Sequence, residues 1–267
     1  MTVLQAIVLG AVQGLTEFLP VSSSGHLVLV NYFLGWGEHL PLWVDIATNT
    51  GTLLAVVVHL RRDVAAALGG FVSGLVSAEA RRRPGWRLAL LVLAGSAPTV
   101  AIGLALRGVF EALNAPLPVA VALAVTGVIL WVAPRSGPKR EPADLTFVDA
   151  VVAGVVQGLA VVPGVSRSGS TIAALLARGA DKELAPRVSF LLYLVVSLGV
   201  AVLGLREVRA AQVEAAPLLA MTAASFVVGY LALLSVFAVL RRGRFRAFSP
   251  YLWVVSAATL LSVLLSR

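Results

Sequence analysis

The chain has 267 residues, of which 59% are hydrophobic and 13% are charged, and it contains no cysteine. Soluble domains carry about 25% charged residues, so this composition excludes an ordinary soluble domain and predicts an all-α polytopic membrane protein. The lack of cysteine excludes disulfides, thiolate metal ligands and a cysteine nucleophile. We interpret the net charge of +8 as loop charge that orients the protein, and expect no nucleic-acid partner.

Six apolar runs are long enough to cross a bilayer, which takes about 17–25 residues. They lie at roughly 43–60, 88–106, 117–133, 188–205, 217–240 and 250–266. Two further apolar regions, about 3–35 and 148–178, are each interrupted by proline and glycine. Each is either two spanning helices or one re-entrant helical hairpin, and the short pieces, about 13–16 residues apiece, suit half-membrane helices.

The two interrupted regions are copies of one another. Residues 6–15, AIVLGAVQGL, match residues 150–159, AVVAGVVQGL, at an offset of 144. The chain 1–267 is then one integral membrane domain made of two repeats, about 1–134 and about 145–267. Each repeat is predicted to hold one hairpin and three spans. Because three is odd, the second repeat enters the membrane from the opposite side, as an inverted-topology repeat.

Lysine and arginine are distributed unevenly between the two predicted sides of the membrane. Sixteen fall on one side and four on the other, while Arg167 lies within the second hairpin. By the positive-inside rule the richer side is cytoplasmic. Both termini and the mouth of the first hairpin are therefore expected outside.

The first hairpin carries polar residues within an apolar segment. Burying such groups in the membrane costs free energy, so they are expected to be hydrogen-bonded and to have a function. Gln13 and Glu17 are four residues apart and share a helix face, where an acid could be a metal ligand, a general base or a proton carrier. In the serine run that follows, one serine is expected to cap the next helix. His26 lies one turn after Ser23, within reach of its hydroxyl, and such a pair suits nucleophilic catalysis.

The second hairpin contains residues 163–171, PGVSRSGST. Its glycines allow tight turns, and its serines and threonine offer hydroxyl donors to an anion at a helix start. Arg167 adds a planar fork of donors that matches phosphate oxygens. Apolar runs on both sides place it deep, so we expect it to hold an anion or to pair with Glu17.

Residues 13–17, QGLTE, which lead into 20–26, PVSSSGH, and residues 163–171 together resemble the (E/Q)xxxE and PGxSRSxxT motifs of the undecaprenyl-diphosphatase, or bacitracin-resistance, family. The resemblance covers essentially the whole chain. It implies hydrolysis of undecaprenyl diphosphate to the monophosphate at the outer face of the plasma membrane, which recycles the lipid carrier of peptidoglycan synthesis and confers bacitracin resistance. It also implies a divalent cation, Mg²⁺ or Ca²⁺.

The resemblance and the residue patterns together lead to a hypothesis for the roles of individual residues. Glu17 and Gln13 are expected at the cation; many relatives have glutamate at position 13, so Glu17 carries more of this binding. Ser23 attacks phosphorus or positions water, His26 moves the proton, and Arg167 with Glu17 completes the catalytic set. The expected phosphate-binding residues are Arg167, Ser166, Ser168, Gly164, Gly169, Thr171 and Ser22.

One alternative from another functional class stays open at this point. Inverted repeats with broken helices are also typical of transporters, and a lipid-phosphate transporter or flippase would use the same arginine. A homodimer is likewise left open.

Overall fold

A computed structural model describes residues 1–36, 40–136, 144–210 and 214–266, and within these ranges the chain is helical, with no β-strand. The α-helices are α1 Val3–Phe18, α2 Ser23–Leu34, α3 Leu42–His59, α4 Arg61–Val76, α5 Pro84–Ala105, α6 Arg107–Ala112, α7 Pro116–Val132, α8 Phe147–Leu159, α9 Arg167–Ala177, α10 Leu184–Ala210, α11 Ala215–Arg241 and α12 Ser249–Leu265. Two 3₁₀-helices, Ala80–Arg82 and Phe245–Phe248, precede α5 and α12. The predicted all-α class is confirmed for this part of the chain.

Five helices of the described ranges are long and apolar enough to cross a membrane. They are Leu42–His59, Pro84–Ala105, Leu184–Gly204, Ala215–Arg241 and Phe245–Leu265. They coincide with five of the six predicted spans; the sixth is α7, whose 17 residues lie at the lower end of what a bilayer requires. The chain is therefore a multi-pass membrane protein. Of the charges used for orientation, Lys139, Arg140 and Arg267 lie outside the described residues.

Each interrupted apolar region forms two short helices joined by a bend. The helices α1, α2, α8 and α9 have 16, 12, 13 and 11 residues. At 1.5 Å per residue, the shortest is about 17 Å long and the longest about 24 Å, against a hydrocarbon core of about 30 Å. These lengths favour hairpins that enter and leave from one side over pairs of spanning helices.

The first helix of each hairpin begins with the same capping box. Thr2 accepts the backbone N–H of Gln5 at 3.2 Å, and the Gln5 side chain accepts the N–H of Thr2 at 2.9 Å. Thr146 and Asp149 make the corresponding pair of bonds at 3.1 and 2.9 Å. The offset between Thr2 and Thr146 is again 144, so the similarity of the two regions extends to the hydrogen bonds that start their helices.

A helix that the sequence analysis did not predict, α4, follows α3 directly. It packs on α5, where Gly74 makes room for an indole: a Cβ there would lie 2.1 Å from a ring carbon of Trp86. Its first turn carries Asp63, which is paired with Arg187 of α10. The charged residues of this turn lower the local hydropathy, so the sequence pattern resembled that of a loop.

Each hairpin packs against a helix from the other half of the chain. The main neighbour of α1 is α11, and that of α8 is α5. Glycines bring the backbones together: a Cβ on Gly14 would lie 2.6 Å from the carbonyl oxygen of Ser225, and one on Gly154 only 1.8 Å from that of Gly95. Helices in an apolar environment associate by close approach at small residues. Here these contacts hold the first helix of each hairpin against the other half of the chain.

Candidate active site

Glu17, near the end of α1, accepts hydrogen bonds from three side chains. Its Oε1 accepts from Nη2 of Arg167 at 2.6 Å, and its Oε2 accepts from Nε2 of Gln13 at 2.7 Å and from Oγ of Ser23. Because the Glu17 side chain is only 6% exposed, its charge needs such partners. The predicted pairing of Arg167 with Glu17 is confirmed.

Further contacts hold the two bends against one another. The hydroxyl of Ser168 donates to the backbone carbonyl of Glu17 at 3.2 Å. A Cβ on Gly25 would lie 3.0 Å from the Cα of Gly164. Gly164 itself has φ +94°, which favours glycine, and its carbonyl accepts from the hydroxyl of Thr126 at 3.0 Å. Gly164 thus shapes the bend, and its expected role at the phosphate stays a prediction.

Matching serines cap the second helix of each hairpin. The Ser22 hydroxyl accepts the backbone N–H of Gly25 at 3.3 Å, and the Ser166 hydroxyl accepts that of Gly169 at 3.1 Å. The N–H of Gly169 is thus engaged within its own helix. Both serines also line the cavity described below, so capping and phosphate contact are compatible roles for them.

Thr171 is the predicted phosphate-binding residue that lies most deeply. It is fully buried, and its hydroxyl donates to the backbone carbonyl of Arg167 at 2.8 Å. This bond stabilises the first turn of α9 behind the guanidinium. Direct contacts of Thr171 and Ser168 with a phosphate remain predictions.

Ser23 and His26 lie one helical turn apart, but the structure shows each bonded to other partners, so their predicted catalytic cooperation stays a prediction. In the structure, Nδ1 of His26 lies 2.8 Å from the carbonyl oxygen of Ser22, and Nε2 lies 2.8 Å from the hydroxyl of Tyr251 on α12. The rings of His26 and Tyr251 are stacked, with centroids 5.8 Å apart. The two side chains therefore point in different directions from α2: Ser23 contacts Glu17, and His26 contacts α12.

A cavity of about 280 Å³ lies between the two bends and the helices α3 and α10. Its polar lining residues are Gln13, Glu17, Ser22, Ser23, Ser24, Asp45, Asn49, Ser166, Arg167 and Ser197, and its apolar ones are Leu27, Leu42, Ala160, Val161, Val165 and Val200. Both motifs therefore contribute polar groups to one open cavity whose walls are also apolar.

Sequence reasoning missed the residues that α3 and α10 bring to this cavity. Asp45 and Asn49 are one turn apart on α3, and Ser197 comes from α10. The signal for the first two was present, since an acid and an amide four residues apart within an apolar run repeat the pattern of Gln13 and Glu17.

The oxygen atoms around the cavity are of the kind that Mg²⁺ and Ca²⁺ prefer. The described residues contain no cluster of three or more His, Asp or Glu side chains that could hold a metal ion by themselves. Two carboxylates, those of Glu17 and Asp45, do line the cavity. Mg²⁺ is commonly bound by one or two carboxylates together with water and substrate phosphates, so the donor set fits such an ion.

A buried carboxylate, a serine and a guanidinium meeting between apolar helices define an integral membrane protein with a buried charged site. The chain belongs to the family described as bacitracin resistance protein BacA, whose model matches residues 6–258. A protein of Acaryochloris marina named undecaprenyl-diphosphatase is 62% identical over 263 residues, 98% of this chain and 99% of that protein. Proteins of the same name from Rubrobacter xylanophilus and Desulforapulum autotrophicum are 44% and 41% identical, each over 98% of this chain. These names support the prediction that the chain is a phosphatase.

Proposed function

We propose that the protein hydrolyses undecaprenyl diphosphate to undecaprenyl phosphate and inorganic phosphate. The observation that carries this proposal is the Glu17–Arg167 ion pair, which places a carboxylate, the Ser23 hydroxyl and a guanidinium at one polar cavity. The substrate is inferred from the name shared by relatives that match nearly the whole chain, one of them at 62% identity.

Arg167 grips the diphosphate in this proposal. One of its nitrogens is held by Glu17, and the other donors of its planar fork remain for phosphate oxygens. Apolar residues of the cavity wall, Leu42, Val161 and Val200, are 46%, 38% and 47% exposed. They offer the prenyl chain a way out between helices toward lipid.

Ser23 and Glu17 carry the chemistry. The Ser23 hydroxyl donates to the Glu17 carboxylate, the relation of a nucleophile to its general base. Ser23 Oγ attacks the terminal phosphorus, its proton passes to Glu17, and the bond from that phosphorus to the bridging oxygen breaks. Glu17 returns the proton to the departing undecaprenyl phosphate, and the restored carboxylate then activates the water that hydrolyses the phosphoserine.

Direct attack by a water that Ser23 orients is the variant of this mechanism that the sequence left open. A phosphoserine trapped at position 23 by acid quenching identifies the covalent route. In either route we assign the proton to Glu17, because the Ser23 hydroxyl donates to its carboxylate, while His26 lies next to Tyr251 and its predicted part in proton transfer stays a prediction.

Glu17 and Asp45, whose carboxylates line the same cavity, would hold a divalent cation, Mg²⁺ or Ca²⁺. The bound cation offsets negative charge on the phosphates. Phosphoryl transfer depends mainly on positioning and charge stabilisation, so this small set of residues suffices.

We infer further that the cavity opens to the outer face of the plasma membrane, with both termini outside, and that the two repeats are inverted. The charge bias supports the orientation, and the matched capping boxes support the duplication. In cells the enzyme would recycle the lipid carrier of peptidoglycan synthesis and confer bacitracin resistance. An impermeant thiol reagent on intact cells should label Thr2→Cys and spare Arg82→Cys; the reverse pattern means the opposite orientation.

The deciding experiment measures phosphate release from undecaprenyl diphosphate by the purified protein in detergent, where no gradient exists. We expect turnover that requires Glu17 and Arg167. If no phosphate is released, but the protein reconstituted in vesicles moves lipid phosphate across the bilayer, the site belongs to a transporter.

A further inference from the structure

An aromatic ring lies directly behind the guanidinium of Arg167. The carbon at the centre of the guanidinium is 4.6 Å from the ring centroid of Tyr193, a residue of α10 that belongs to neither motif. Tyr193 is 4% exposed, and its hydroxyl is 2.8 Å from the hydroxyl of Thr52 on α3. The ring is therefore fixed between two helices while its face meets the cation.

This arrangement restricts Arg167 in a way that an ion pair alone does not. A contact between Glu17 and one nitrogen leaves the guanidinium free to rotate about that contact. An aromatic face attracts the cation and also favours a stacked, parallel guanidinium. The Tyr193 ring in turn packs edge-on against Phe18, with centroids 6.2 Å apart, so it has little freedom of its own.

We propose that Tyr193 is a positioning residue of the phosphate site, which orients the Arg167 guanidinium for the diphosphate. The inference deepens the proposed function and rests on it, because it presumes that Arg167 binds the substrate phosphates. The ring supplies the effect, and the hydroxyl, through Thr52, only keeps the ring in place.

The first test compares variants that differ in what faces Arg167. Tyr193→Leu should raise KM for undecaprenyl diphosphate, and Kd for inorganic pyrophosphate measured by calorimetry, about tenfold, with a smaller change in kcat. Tyr193→Phe keeps the ring and should restore both values to within about threefold of wild type. Phe190→Leu is the matched control, since it removes a buried ring of α10 that also packs on Phe18, whereas the ring over the guanidinium is that of Tyr193.

A second variant keeps the test decisive if Tyr193→Leu fails to fold. Tyr193→trifluorophenylalanine preserves the shape of the ring but weakens its negative face, so pyrophosphate affinity should fall relative to Tyr193→Phe at equal melting temperature. A purely structural ring would leave the affinity unchanged.

Two outcomes would overturn the inference: equal pyrophosphate affinities in Tyr193→Leu and Phe190→Leu, or no difference between the fluorinated and unfluorinated rings. Failure of the proposed function looks different. In that case the wild-type protein releases no phosphate, whereas pyrophosphate binding still reports on Tyr193.

Discussion

The two bends of this protein share a scaffold and differ in chemistry. In each, a serine caps the second helix and a threonine capping box starts the first. At corresponding positions, however, the first bend has Glu17 and Ser23, and the second has Val161 and Arg167. The shared framework therefore positions the side chains, while the charges needed for one site are divided between the two bends.

The paired glutamines show how this division affects a neighbour. Gln13 donates to Glu17 at 2.7 Å, whereas Gln157, its counterpart 144 residues later, donates to Thr99 at 3.2 Å. Because valine stands at position 161, Gln157 has no carboxylate one turn ahead of it. The same residue on the same scaffold therefore bonds to the carboxylate in one copy, whereas in the other it bonds to α5 beside the same ion pair.

The largest effect on activity should come from removing the hydroxyl of Ser23 in the first bend. Ser23→Ala should lower kcat about 1,000-fold or more, because the attacking or water-orienting group is lost. The control is Ser170→Ala in the second bend, whose hydroxyl has no hydrogen-bond partner among the described residues and should not be required. Equal activities of the two variants would remove Ser23 from the chemistry.

The next effect concerns the donor fork of the second bend. Arg167→Lys keeps the charge beside Glu17 but loses the planar donors, so kcat/KM should fall about 100-fold with the fold intact. Arg187→Lys makes the same exchange in the ion pair with Asp63 and should leave turnover near wild type. Wild-type turnover in Arg167→Lys would show that the fork is unnecessary.

A smaller effect is expected when an acid replaces a glutamine. Gln13→Glu sets two carboxylates at the 2.7 Å contact that Gln13 now makes with Glu17, and a shared cation relieves their repulsion. The cation concentration for half-maximal activity, and for Mn²⁺ binding measured by electron paramagnetic resonance, should fall about tenfold. An unchanged Mn²⁺ affinity in Gln13→Glu would place residue 13 outside the cation shell.

The smallest effect concerns stability and distinguishes the two serine caps, Ser22 and Ser166. Ser22 has φ +71° and Ser166 has φ −75°, so only Ser22 is in the region that favours glycine. Ser22→Gly should raise stability by up to ~1 kcal/mol, since relief of strain outweighs a cap loss of a few tenths. Ser166→Gly should lower stability, and the melting temperatures of both variants in detergent test the difference.

Much of the fold and the meeting of the motifs could be predicted from the sequence. Five spans and both hairpins follow from apolar runs and their interruptions, because a bilayer imposes length. The contact of Glu17 with Arg167 follows from charge, because neither group is stable alone in an apolar medium.

The missed features depend on side-chain direction and on partners that are distant in sequence. Helical spacing brings Ser23 and His26 within one turn, but it does not fix rotamers, and Tyr251 lies 225 residues from His26. Tyr193 is similarly invisible, since nothing in its apolar run marks a residue that faces Arg167. The helix α4 was missed for a different reason, because the charged residues in its first turn are typical of a loop.

The exchange of packing partners between the halves has a consequence for biosynthesis. α1 leaves the ribosome more than 200 residues before α11, the helix against which it packs. The first bend, with its buried Glu17, is therefore synthesised before both Arg167 and α11. Until these follow, it lacks its ion-pair partner and its packing partner in the membrane or the insertion machinery. The active site is thus among the last parts of the protein to form, and a chain truncated before α11 would leave the carboxylate-bearing hairpin without its main support.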